Sequence, residues 1–310
     1  MHNQARLDRI ATYKRSTGFQ ICAASFTLLL ASCSPTPEET NDPSRAAPPN
    51  PATTNQQQIT PAGSQTLSIG VVPQQSASTL AKQWIPLLDD ISKRANVRLV
   101  FKTAPDIPTF EKRCSAGEYD IAYMNPYHYT VFHEQPGYEA IAKRSDSKIK
   151  GIIVKKIDSD IKSLTDLNGK NIAFPAPRAF AATLLTTAGL RAAGVQFDSK
   201  YVSSHDSVYL NVSLGTADAG GGIMRTFKSI SPDIRKQLEI LWETPSYTPH
   251  AFAIHPRIAP NLKAAVTKAM VETGRNENGR NLLAPLKIKN LEAASNQDWD
   301  DVRDLKITIR

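Results

Sequence analysis

The chain is short of the features that usually announce a chemistry. Only three cysteines occur among its 310 residues, too few for a disulfide framework. Aromatic residues are sparse, and no Lys/Arg run is interleaved with them, so nucleic acid is not an expected partner. No apolar stretch approaches the roughly 20 residues that a membrane-spanning helix needs. There is no nucleophile elbow, phosphate loop or paired zinc-ligand motif. His128 and His133 are five apart without a carboxylate partner in metal spacing, so neither a metal site nor a cofactor is expected. Ser204-His205-Asp206 contains the letters of a hydrolytic triad, but consecutive side chains diverge in a strand or a helix and cannot form a relay. The chain does not read as an enzyme.

What is present begins with a targeting pattern. Arg6, Arg9, Lys14 and Arg15 make a basic start, and Ile21 to Leu30 is a short apolar run. It has the length of a signal-peptide core. It ends in Leu30-Ala31-Ser32-Cys33, which resembles the bacterial lipobox, where small residues admit a signal peptidase and the cysteine carries lipid. Residues 1–32 are therefore expected to be a signal peptide and Cys33 the lipidated first residue of the mature chain. Removing four basic residues and Asp8 lowers the formal charge from +8 to +5. Residues 33–65 form the expected tether: from Ser34 to Gln65 there are seven prolines, no aromatic residue and one large aliphatic, Ile59. Such a segment buries too little apolar surface to offset the entropy of ordering.

From Thr66 the texture changes to alternating β-rich runs and amphipathic helices. Leu67 to Val72 reads as a strand, followed by a helix with Leu80, Trp84, Leu87, Leu88 and Ile91 on one face. Pro86 is expected to kink it. A strand over Val97–Phe101, a helix over Thr109–Ala116 and a strand over Tyr119–Met124 complete a β-α-β-α-β series, the pattern of a parallel sheet covered by helices. A second series has strands at Gly151–Val154, Asn171–Phe174, Tyr201–Ser203 and Leu238–Leu241, and a helix over Asp206–Leu214. Pro177 stands as a helix start and Gly194 as a helix stop. His250–Ile254 and a helix over Asn261–Thr273, stopped by Gly274, close the chain. The fold class is α/β, with two lobes and a ligand cleft between them. The expected domain covers 66–310, with one lobe at about 66–145 and 248–310 and the other at about 146–247. A hinge is expected near residues 143–150 and 243–249.

Four stretches carry a resemblance: Gly70-Val71-Val72-Pro73-Gln74, the run Tyr119-Asp120-Ile121-Ala122-Tyr123-Met124-Asn125-Pro126-Tyr127, Ser203 to Val208, and Gly215-Thr216-Ala217-Asp218-Ala219. In that order and spacing, over roughly residues 66–260, they resemble the phosphate/phosphite/phosphonate-binding family of ABC-transporter proteins. The resemblance implies a type II periplasmic-binding fold, two lobes closing on a small anion, and no catalysis. In the family a Ser/Thr-rich turn opens the helix after the strand matching Asn171–Phe174. This chain instead reads Pro175-Ala176-Pro177-Arg178-Ala179-Phe180-Ala181-Ala182. Either backbone N–H groups and Arg178 serve an oxyanion, or the ligand differs. Asp106-Ile107 stands near a position that is aromatic in the family.

The candidate ligand residues each have a plainer reading beside the functional one. Tyr123, Asn125 and Tyr127 fall at a strand end and the turn after it, facing a cleft or simply packing. His205 matches the family's ligand-contacting histidine, Asp206 caps a helix or orients the turn, and Ser207 follows it. Arg178 and Arg225 meet an anion or solvent; Ala179 and Phe180 belong to the altered turn. Gln74 follows the first strand and His250 opens a late one. Gly220-Gly221-Gly222 reads as a turn, with an anion nest as the alternative. The expected partners are a small anionic solute, the membrane through the lipid, and an ABC permease. A membrane sensor, such as a kinase, is the alternative to the permease. The expected location is the periplasm or cell envelope.

Overall fold

The structure is a computed structural model describing residues 65–145 and 147–307. The expected signal peptide, Cys33 and the tether up to residue 64 lie outside the described residues. All described residues belong to one compact unit. Two sheets organise it. The first contains β1 (Thr66–Val71), β2 (Arg98–Lys102), β3 (Ile121–Met124), β4 (Glu139–Arg144), β10 (Ala251–Ile254) and β11 (Leu291–Ala293); the second contains β5 (Gly151–Lys156), β6 (Lys170–Phe174), β7 (Phe197–Tyr201), β8 (Ala219–Ile223) and β9 (Leu238–Glu243). This is the two-lobed α/β architecture expected from the alternation of strand and helix patterns.

The strand orders are β11-β4-β10-β3-β1-β2 and β7-β6-β8-β5-β9. β2, β1 and β3 pair in parallel, but β10 lies antiparallel between β3 and β4. In the second sheet β7, β6 and β8 are parallel, and β5 lies antiparallel between β8 and β9. The expectation of parallel sheets is thus corrected. Each sheet has a parallel framework into which the strand arriving from the other lobe is inserted backwards. The two connections run side by side, with Ile149 and Tyr247 exchanging backbone hydrogen bonds of 2.8 and 2.9 Å.

The helices start where their caps allow. In α1 (Ala77–Ala95), Ser76 accepts from the Thr79 N–H, and Leu80, Trp84, Leu87, Leu88 and Ile91 are buried on one face; the helix continues through Pro86. Asp106 caps α2 (Ile107–Ser115) through the Thr109 N–H at 2.8 Å. The sequence shows neither β4 nor α3 (Pro126–Glu134), whose N-cap is Asn125. Pro177 does not start a helix. The chain turns there, and a π-helical segment, Phe180–Leu185, leads into α4 (Thr186–Ala192). β7 ends at Tyr201, and α5 (His205–Ser213) opens after Ser203, whose φ is +71°. After β8 come α6 (Met224–Ser229) and α7 (Pro232–Arg235); α8 (Pro260–Thr273) ends at Gly274 as expected.

The Gly220–Gly222 run is not a turn but the middle of β8, central in the second sheet. A Cβ on Gly221 would collide with the Ala182 carbonyl and the Phe174 ring, and one on Gly222 with the Tyr209 ring and hydroxyl. The glycines therefore let the Phe180–Leu185 segment and α5 lie directly on the strand.

Candidate functional site

Parallel strands of both sheets deliver their C-terminal ends to the space between the lobes, where open α/β sheets place ligands. β1 leads to Gln74, β3 to Asn125, β6 to Ala179–Ala182, β7 to His205 and β8 to Arg225, while antiparallel β10 begins just after His250. Gln74, Asn125, His205 and His250 are buried there. With Ile107, Ile149 and the Ala179–Ala182 segment they line a cavity of about 10 Å³, room for about one water.

The polar side is tightly connected. Arg225 donates through Nη2 to Gln74 Oε1. Gln74 Nε2 lies 3.1 Å from His250 Nε2, and the His250 ring stacks on Tyr123 with centroids 5.1 Å apart. His205 Nδ1 is 3.2 Å from Thr226 Oγ1, while its backbone N–H donates to the Gln74 carbonyl at 3.0 Å. Asn125 caps α3 through the His128 N–H at 2.8 Å and donates from Nδ2 to the Arg178 carbonyl at 3.1 Å. The His205–Gln74 and Asn125–Arg178 bonds join one lobe to the other directly. On the opposite wall, the N–H groups of Phe180, Ala181 and Ala182 find no acceptor among the described residues. They are the free donors of a first helical turn.

Electrostatics sort these groups. Burial, then the charge of Arg225, lowers His205 to about 3. Burial, Arg225 and Arg144 hold His250 well below its ordinary value. Both rings are therefore neutral at physiological pH, each offering one donor and one acceptor. Burial lowers Arg225, yet an arginine stays cationic. Among the described residues no carboxylate stands within ion-pair distance of it. Burial raises Asp206; the Ser76 N–H, the Gln75 amide and Arg225 oppose that rise.

The other candidates lie elsewhere. Tyr123 sits behind His250 and packs on Trp84 at 4.7 Å. Tyr127 lies on α3 and lines a separate surface groove with Thr130 and Arg303. Arg178 turns its side chain outward, 3.9 Å from Glu111. Ser207 is tied to the Ser204 cap, with hydroxyls 2.9 Å apart. Asp206 faces the Gln75–Ser76 turn. His128 does have a carboxylate partner, Glu111 at 2.8 Å. That pair was invisible because its halves lie on different helices. Sequence pattern alone does not mark Arg144 or Thr226. Arg144 ends a strand with no recognised pattern, and Thr226 matters only through the close approach of α6 to α5.

Neutral polar side chains and free backbone N–H groups thus converge between the two sheets, with no catalytic relay among the described residues. The sequence profile of the family described as ABC transporter, phosphonate, periplasmic substrate-binding protein matches residues 69–299. The chain belongs to this family. Its members are substrate-binding proteins and not enzymes, and the family places the domain outside the cytoplasm. A curated relative, the phosphate-import protein PhnD of Mycolicibacterium smegmatis, is 21% identical over 280 residues, covering 77% of this chain and 84% of that protein. Among solved structures, the binding-protein component of an ABC phosphonate transporter from Pseudomonas aeruginosa superposes with a TM-score of 0.73 at 17% identity, covering 79% of this chain and 86% of that one. PhnD1 from Prochlorococcus marinus in complex with methylphosphonate gives 0.72 at 18% identity, covering 78% and 97%. These likenesses show the type II periplasmic-binding fold. Among the described residues no helix is long and apolar enough to cross a membrane.

Proposed function

We propose that this family member is a membrane-anchored lipoprotein that captures a small phosphorus oxyanion, a phosphonate, phosphite or phosphate, for an ABC importer. The carrying observation is that Gln74, Asn125, His205 and His250 converge with three free N–H groups in front of Arg225, a half-buried cation without a carboxylate partner among the described residues. A half-buried cation of that kind gains a charge-assisted partner when an anion arrives, and helix N-termini are suited to anions. The relatives named for phosphate and phosphonate import agree with that chemistry. Residues 1–32 act as the signal peptide, Cys33 as the anchor and 33–65 as the tether. The lobes, about 66–145 with 248–310 and about 146–247, close by bending at the paired connections around Ile149 and Tyr247.

The cavity of about 10 Å³ is too small for such an ion. Binding therefore exchanges the direct bonds from His205 to Gln74 and from Asn125 to Arg178 for bonds to the solute. The test is thermal unfolding of the purified chain against phosphate, phosphite, alkylphosphonates and uncharged metabolites. A ligand at a hundred times its Kd stabilises the native state by about 2.7 kcal/mol. A shift with a phosphorus oxyanion supports the reading; a shift only with an uncharged solute removes it.

A further inference from the structure

Each sheet ends on two edge strands, and an unpaired edge is a template for another strand. The edges are β2 and β11 in the first sheet and β7 and β9 in the second. Three of them do not suit a second copy of this chain. β11 has only three residues. In antiparallel register about Val100, β2 would bring Arg98 of one copy opposite Lys102 of the other, a like-charge pair. β9 carries Glu239 and Glu243 without a basic residue, and both acids are engaged by Lys155 and Lys150.

β7 differs. It reads Phe197-Asp198-Ser199-Lys200-Tyr201, and all but Phe197 are exposed. It pairs on one side only, with β6. The Gly169 N–H donates to the Gln196 carbonyl at 2.7 Å and the Val202 N–H to the Phe174 carbonyl at 2.9 Å. Even-numbered residues of this strand therefore turn their backbone groups towards β6, and strand alternation turns the N–H and C=O groups of Phe197, Ser199 and Tyr201 to the open side. An antiparallel copy, placed about a two-fold axis at Ser199, sets Ser199 against Ser199, Phe197 against Tyr201 and Asp198 against Lys200. The outward backbone groups then fall on the hydrogen-bonded pairs. The charges fall on the non-hydrogen-bonded pairs, where side chains approach most closely.

The side chains leave room for that partner. Phe197 and Tyr201 share a face with Phe174, their ring centroids 6.1 and 6.4 Å from it, and Tyr201 is 49% exposed. A surface groove of about 530 Å³ beside Phe197, lined by Gly169, Arg191, Val195 and Gln196, lies where the tyrosine of a second copy arrives. Lys200 meets the neutral Asn211 side chain at 3.2 Å, and Asp198 forms no ion pair among the described residues. We propose that β7 is a docking edge for a second copy of this chain, joining two five-stranded sheets into one. A lysine on an edge strand ordinarily guards against pairing. Here Asp198 lifts that guard for one partner in one register.

The measurement is sedimentation velocity on the purified chain over about a hundredfold range of concentration ending near millimolar, because an interface of one strand pair is small and transient. A monomer–dimer equilibrium is expected. Asp198→Lys alone and Lys200→Asp alone each set like charges opposite one another and weaken the dimer by at least about tenfold. Both positions are exposed, so neither change disturbs the core. Mixed in equal amounts, the two variants restore association, since one chain then presents two cations and the other two anions. A chain that stays monomeric at the highest concentration overturns the proposal. Dimers indifferent to both charge reversals form at another surface and overturn it too, as do single variants that remain monomeric when mixed.

Discussion

The side-chain amide of Gln74 is oriented by Arg225. A guanidinium can only donate, so the amide end that meets Arg225 Nη2 is the oxygen, and the end 3.1 Å from His250 Nε2 is the NH2 group. His250 Nε2 must then accept, which places the proton of the neutral ring on Nδ1. Three residues from three separate stretches of chain thus fix one another's hydrogen bonding. The expected observation is a nitrogen-15 spectrum at neutral pH in which His250 is protonated at Nδ1; a proton on Nε2 contradicts the orientation.

Gln74→Glu places a carboxylate against Arg225 and fills the demand that an incoming anion would meet. Charge-assisted pairs are about twice as strong as neutral ones, so the folded chain keeps its stability, with the His250 proton moving to Nε2 to donate to the new carboxylate. Affinity for the oxyanion falls by at least about 100-fold, which is roughly 2.7 kcal/mol. Thermal unfolding and calorimetry on the same sample separate the two effects, and unchanged affinity removes Gln74 and Arg225 from the site.

Stability depends on pH through the buried histidines. An unfolded histidine takes up its proton near 6.5, whereas folded His205 does so only at about 3, and His250 also lies well below the ordinary value. Between those values the unfolded chain binds more protons, so stability is full above pH 6.5 and falls as pH drops below it. Each such histidine contributes a slope of about 1.4 kcal/mol per pH unit. Urea unfolding just above and one unit below the unfolded pKa should show the loss, and His205→Gln should remove its share. An unaltered slope would mean that His205 is not buried neutral.

Gly221→Ala should destabilise the fold by about 1–3 kcal/mol, the usual cost of overpacking. The new methyl strikes the Ala182 carbonyl and the Phe174 ring. Because Ala182 also lines the cavity, ligand affinity should fall with stability. A substitution without effect on urea midpoint or affinity would argue against the close seating of this segment on β8.

Cys33→Ser should release the chain from membranes. Fractionation of cells producing both forms is the readout, and continued sedimentation of the serine form rejects the lipid anchor.

The sequence made the alternation of strands and helices, the buried face of α1 and the end of α8 legible, because each follows from local periodicity and local caps. It did not reveal the backward insertion of β5 and β10, which depends on pairing between distant residues. The Gly220–Gly222 run misled for a related reason. Glycine signals a turn by its local freedom, but in β8 it is required by what packs on the strand from both faces. In the candidate site, Gln74, Asn125, His205 and His250 lie at element ends and were visible as such. Arg144 and Thr226 act through contacts between elements that share no pattern. Arg178 shows the converse: its position in the chain is suitable, but its side chain points towards Glu111.

The insertion of β10 also sets an order of assembly. The second sheet is complete once the chain has reached Glu243, whereas the first, begun at Thr66, needs Ala251–Ile254 between two of its strands and Leu291–Ala293 at its edge. The lobe that is synthesised first is therefore finished last. Until nearly the whole polypeptide has emerged, its early strands have no complete sheet to join, and such long-range pairing is intrinsically slow. A chain with this connectivity can close its second sheet while the first still waits for its central and edge strands.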